Sequence, residues 1–63
     1  MYRVIIEKRD GNKIVLSNVA GIECNIILDS FRKMKVFHHI FENGDEAHFN
    51  PRYIAIISIG KMK

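Results

Sequence analysis

Apolar and polar positions alternate with a period of two along most of this chain, the pattern of half-buried strands. Tyr2 to Arg9 reads as a first strand and Lys13 to Val19 as a second. Asp10-Gly11-Asn12 between them is a turn signal, because Gly and Asn accept positive φ. A three-residue loop there puts Val4 and Ile6 on one face with Ile14 and Leu16, and leaves Arg3, Glu7, Lys13 and Ser17 to water. That separation is cleaner than the one a two-residue loop produces, so the longer loop is expected.

Ile22 to Asp29 also alternates, with Ile22, Cys24, Ile26 and Leu28 on one side and Glu23, Asn25 and Asp29 on the other. A third strand is expected here. Val19, Ile22 and Ile26 have helical spacing, but Gly21 and the Ile26-Ile27 pair are poor helix formers. Lys33 to Glu42 is the next strand, Asn43-Gly44-Asp45 a hairpin turn, and Glu46 to Phe49 the return. Asn50-Pro51-Arg52-Tyr53 interrupts the pairing, since Pro donates no ladder hydrogen bond. Ile54 to Ile59 carries apolar residues on both faces, which predicts a central or buried strand ended by Gly60.

The expected fold class is therefore all-β, with residues 1–63 as a single domain: a small barrel or curled antiparallel meander of five to six short strands. A short strand, a one-turn break at Pro51-Arg52-Tyr53 and a closing strand form a layout similar to the end of SH3-like and Sm-like barrels. The resemblance is one of layout at the C-terminal end and carries no family motif. Such barrels include peptide binders, RNA binders and oligomeric rings, so it selects no function.

Composition supports strands. Eleven Ile and four Val stand against two Leu, and β-branched side chains suit a pleated surface better than a helix. The hydrophobic share of 48% and charged share of 27% are those of a folded domain. A chain this short hides only about 60% of the surface its unfolded form exposes, so its core is thin. Cys24 is the one cysteine, which excludes an internal disulfide and fits a reducing, cytoplasmic setting. The chain contains no apolar run of about 18 residues and no signal-peptide pattern, so no membrane association is expected.

Four groups of residues invite a chemical reading. His38 and His39 precede the second turn and His48 follows it. A two-residue loop sets His39 opposite His48, and a loop of Glu42, Asn43 and Gly44 sets His38 there instead. Either pair has a spacing that suits Zn²⁺, with His39 and His48 the candidates, yet the third and fourth ligands are missing. No metal or other cofactor is expected. Cys24 lacks the partners of a nucleophilic site, so no enzyme activity and no small-molecule substrate are expected. The stretch from Phe31 to His39 interleaves cations with aromatic rings. Phe31, Arg32, Lys33, Lys35, Arg52 and Tyr53 would form a nucleic-acid surface, although a net charge of +3 is a small basic excess.

The fourth group is the apolar surplus. Val36 and Ile40 lie on one side of the 33–42 strand, Phe37 and Phe41 on the other, and Ile5, Val15 and Ile27 add further apolar groups to polar faces. A domain this small cannot hide two apolar faces of several strands. The leading expectation is a non-catalytic binding module acting through a protein–protein interface made by Phe37, Phe41, Ile40 and Val36. Its partner would be a second copy in a homodimer or another protein, and the size suits an accessory or inhibitor protein. The alternative is a small basic nucleic-acid-binding protein.

Overall fold

A computed structural model describes residues 1–62 of the chain. The fold is mostly β, with five strands in two antiparallel sheets and one helix. Strands β1 (Tyr2–Lys8), β2 (Lys13–Val19) and β5 (Ile54–Lys61) form a three-stranded sheet in the order β2-β1-β5. Strands β3 (Phe37–Ile40) and β4 (Glu46–Phe49) form a separate pair, and helix α1 (Gly21–Arg32) joins β2 to β3. The described strands do not close into the expected barrel, because α1 takes the place of a sixth strand. No described helix is long and apolar enough to cross a membrane.

Both hairpins turn in the same way. In the first, the Lys8 N–H donates to the Asn12 carbonyl (2.8 Å) and the Gly11 N–H to the Lys8 carbonyl (3.0 Å). In the second, Phe41 N–H donates to Asp45 (2.8 Å) and Gly44 N–H to Phe41 (2.9 Å). The loops are thus Arg9-Asp10-Gly11 and Glu42-Asn43-Gly44, three residues each, with Gly11 at φ 92° and Gly44 at φ 90°. Asp10 and Asn43 each accept the N–H two residues on, from Asn12 and Asp45 (both 2.9 Å). The Asn12 N–H lowers the Asp10 carboxyl below its ordinary 3.8.

The first loop keeps the expected length but sits one residue earlier than expected. Val4 pairs with Leu16 and Ile6 with Ile14, so the faces are unchanged. Two bulges then do what strict alternation cannot. Between Tyr2 and Val4 the β2 side carries an extra residue, with Asn18 in the left-handed region at φ 56°. Val19 thereby faces inward with Leu16, and both are fully buried. A second shift, at Ala55 between Glu7 and Lys8 of β1, puts Ile54, Ile57 and Ile59 on one inner face. This corrects the reading of 54–59 as a central strand. β5 is an edge strand, it runs on to Lys61, and its outward Ile56 is more than half exposed.

The expected strand Ile22 to Asp29 is also corrected, since it lies within α1 (Gly21–Arg32). The buried and half-buried positions Cys24, Ile27, Leu28 and Phe31 follow the i, i+3, i+4, i+7 spacing of a helix face. Cys24 and Ile27 join a core of Val4, Ile6, Leu16, Val19, Phe37, Phe49 and Ile54, so every element contributes to it. Packing this stripe outweighs the few tenths of a kcal/mol by which each β-branched residue disfavours a helix. The stripe suggested by Val19, Ile22 and Ile26 is the solvent face of the helix from Ile22 onward.

α1 ends in a Schellman motif. Lys35 N–H donates to the Ser30 carbonyl (2.8 Å), Met34 N–H to Phe31 (3.2 Å), and Met34 sits at φ 59° where Gly is usual. The cap occupies Lys33–Lys35, which is why β3 begins at Phe37. A side chain in this region costs about 1–2 kcal/mol, partly offset by the freedom Gly has when unfolded. Met34→Gly is therefore expected to stabilise the domain by about 0.5–1 kcal/mol. Gly44→Ala should destabilise it by about 1 kcal/mol through backbone strain alone, since a Cβ there meets nothing within 4 Å. Thermal melts of the two variants should move in opposite directions, by about 4–8 °C per kcal/mol.

Candidate interaction surface

Helix α1 and strand β3 lie side by side, and their seam is pinned by one polar contact. Glu23, in the first turn of α1, meets His39 of β3 with Oε1 2.8 Å from Nδ1. A carboxylate only accepts, so His39 donates from Nδ1. His39 is the one buried polar side chain among the described residues, and its ring stands edge-on to Phe41 at 5.0 Å. Glu23 also suits the positive end of the helix dipole. The contact ties the first turn of α1 to the inner side of β3.

The outward faces of the two elements are apolar. On α1, Ile22 and Ile26 are one turn apart and 75% and 58% exposed. On β3, Val36 leads into the strand and Ile40 closes it, on the face opposite Phe37 and His39, and each is 60% exposed. Ile26, Val36 and His38 line a shallow groove of about 350 Å³ between the two elements, floored by Ile27 and Phe37. Ile26 and Val36 thus meet across this groove, and Ile22 and Ile40 are exposed elsewhere on the same two elements.

The expected interface set is divided by this arrangement. Val36 and Ile40 are on the surface as expected. Phe37 is not: it is buried, with its ring stacked on Phe49 at 5.2 Å. Phe41 is half-buried behind the second turn, packed against the core. The alternation of β3 assigns Phe37 and His39 to the inside, which the two-sided apolar pattern alone did not reveal. Ile22 and Ile26 were missed because the strand reading turned them toward the core. Their i, i+4 spacing was the available signal.

The three-residue loop decides the histidines. His38 pairs with His48, with ring centroids 5.6 Å apart on the outer face, and His48 Nε2 lies 3.0 Å from Glu46 Oε1. His39, the partner that a two-residue loop would have given His48, points the other way. Among the described residues no three His, Cys, Asp or Glu side chains gather as a metal site requires. Cys24 lies on the buried side of α1, where burial first and the Glu23 charge second push its thiol above the ordinary 9.0. Little thiolate then exists at pH 8, so native Cys24 should react with iodoacetamide at least about tenfold more slowly than in the urea-unfolded chain. Equal rates would mean that the thiol is not enclosed.

The residues of the expected nucleic-acid surface are divided between two elements. Arg32, Lys33 and Lys35 are exposed at the end of α1, with Lys33 held by Asp29 at 3.1 Å. Phe31 beside them is half-buried against the core. Arg52 and Tyr53 lie on the 3-10 turn Pro51–Tyr53, where Arg9 donates from Nε to the Arg52 carbonyl (3.0 Å). Tyr53 is exposed there, at the rim of a groove of about 620 Å³ that Lys8 and Arg9 also border.

Fold and surface together define a small two-sheet, one-helix domain with an apolar seam. Compared with known proteins, the chain matches no family model, no curated protein and no solved structure.

Proposed function

We infer that this protein is a non-catalytic binding module that docks on a protein partner through the α1–β3 flank. The observation that supports this reading is the groove where exposed Ile26 and Val36 meet, with Ile22 and Ile40 also exposed on α1 and β3. Exposing aliphatic groups together is unfavourable by about 25 cal/mol for each Å² of apolar area left in water. A partner that inserts an aliphatic side chain into the groove beside Ile26 and Val36 removes that penalty. The Glu23–His39 contact keeps the two faces in register before the partner arrives, which lowers the ordering entropy of binding.

The test is a double variant, Ile26→Asp with Val36→Asp, in which both altered residues are exposed. Cross-linking in extract of the native cell should join the wild type to proteins that the folded double variant no longer reaches. Identical cross-linked sets from the two would overturn the reading.

A second reading, nucleic-acid binding, is favoured by exposed Tyr53 beside Arg9 and Arg52, where a base could stack between cations. It predicts oligonucleotide binding that falls with salt, with a log–log slope of about −0.9 per phosphate contacted on duplex DNA. Binding that ignores salt, or no binding at all, removes it.

A further inference from the structure

We propose that two copies of this chain pair through the free edge of β5 to form one continuous six-stranded antiparallel sheet. The surface is distinct from the α1–β3 flank. β5 is paired with β1 on one side and, among the described residues, with no strand on the other. It is the longest strand, Ile54–Lys61, and its residues 55–60 contain no charge and no Pro. Natural sheets protect free edges with such groups or with bulges. The bulge in β5 lies at its start, by Ala55. The other edges are protected or short: β2 carries Lys13 and left-handed Asn18, and β3 and β4 span only Phe37–Ile40 and Glu46–Phe49.

The backbone shows which groups are open. Met62 N–H donates to the Met1 carbonyl (3.0 Å), and Arg3 pairs with Gly60 in the same register. Hydrogen-bonded and non-bonded pairs alternate along an antiparallel ladder. Residues 60, 58 and 56 therefore direct their N–H and C=O toward β1, and Ile57, Ile59 and Lys61 direct theirs outward.

A second copy fits this edge in one register better than in its neighbours. With the two-fold axis at Ser58, Ile57 of one copy stands opposite Ile59 of the other, and about four N–H···O bonds form at the centre. The inner face then reads Ile14, Ile6 and Ile57 in one copy and continues as Ile59, Val4 and Leu16 in the other, an unbroken apolar row. On the outer face, Ile56 lies over Gly60 of the other copy. Ile56 is more than half exposed, and a Cβ at Gly60 would meet nothing within 4 Å, so a bulky group meets open space. The same outer row carries Glu7 from one copy and Arg3 from the other, which are opposite charges. Arg3 has no carboxylate partner among the described residues, and Glu7 reaches only Lys13, at 3.5 Å. Sliding the axis to Ile59 sets Lys61 on the apolar inner row, and sliding it to Ile57 leaves Gly60 bare.

Ser58 is exposed on the outer face and would meet its own copy at a non-bonded pair, with Cα atoms about 4.5 Å apart. Light scattering of the wild type should give twice the chain mass. Ser58→Lys places two cations face to face, and should raise the dimer dissociation constant at least tenfold while the far-UV spectrum and melt of the monomer persist. Ser58→Cys should form a disulfide-linked dimer on mild oxidation, at a separation within disulfide range, whereas a Ser17→Cys control should not. A monomeric wild type at millimolar concentration overturns the pairing, as does equal cross-linking of the two Cys variants. A dimer lost with Ile26→Asp and Val36→Asp but kept with Ser58→Lys also overturns it, and assigns self-association to the flank.

Discussion

Replacing Phe37 with Ala is expected to remove about 3–5 kcal/mol of folding stability, the usual result of deleting a buried aromatic ring. Phe37 is enclosed by the core and stacked on Phe49 at 5.2 Å with an interplanar angle of 25°. Both residues face inward from the paired strands β3 and β4, directly opposite one another. Little neighbouring structure exists to collapse into the space. A domain of this size is stable by only about 3–9 kcal/mol, so the substitution removes at least about a third of that stability and unfolds the chain at the lower end of the range. Val36→Ala, one residue away and facing out, should change stability by no more than about 0.5 kcal/mol. Urea titrations of both variants give the comparison. A Phe37→Ala protein with an unchanged midpoint but lost binding would return Phe37 to the interface and contradict the inward face of β3.

The second large effect separates a helix from a strand at residues 21–32. Ile27→Ala should cost about 2–5 kcal/mol, because Ile27 is fully enclosed beneath β1 and β3. Ile26→Ala should cost nothing and stabilise by a few tenths of a kcal/mol, since Ala is the better helix former at an exposed site. In an alternating strand with Ile26 inward the two effects would be exchanged. The sign of the Ile26 result is thus as informative as the size of the Ile27 result.

The two substitutions mark the boundary of what could be read along the chain. Gly11 and Gly44 announced both hairpins, because positive φ is a local requirement that few residues meet. Pro51 announced the break before β5 for a similar reason. The inner faces of β1 and β2 followed from alternation, and survived the displacement of the first loop because the pairing sum changed by an even number. Within the candidate surface, Val36 and Ile40 were legible as apolar residues in excess of what one face can hide. Ile22 and Ile26 were not, since their exposure depends on the winding of 21–32.

Period-two patterns and turn chemistry depend on neighbours in the chain, so they determined the mostly β class, the two hairpins and the 3-10 turn without reference to anything distant. The winding of 21–32, the inward position of His39 and Phe37, and the separation into two sheets depended on contacts between residues far apart in sequence. Cys24, Ile27, Leu28 and Phe31 become a buried stripe only once the inner face of β1 is there to cover it. The bulges at Asn18 and Ala55 likewise shift the alternation by one residue, and only the packed core shows why. Val19 and Ile54 are buried there, and strict alternation would have turned them to water.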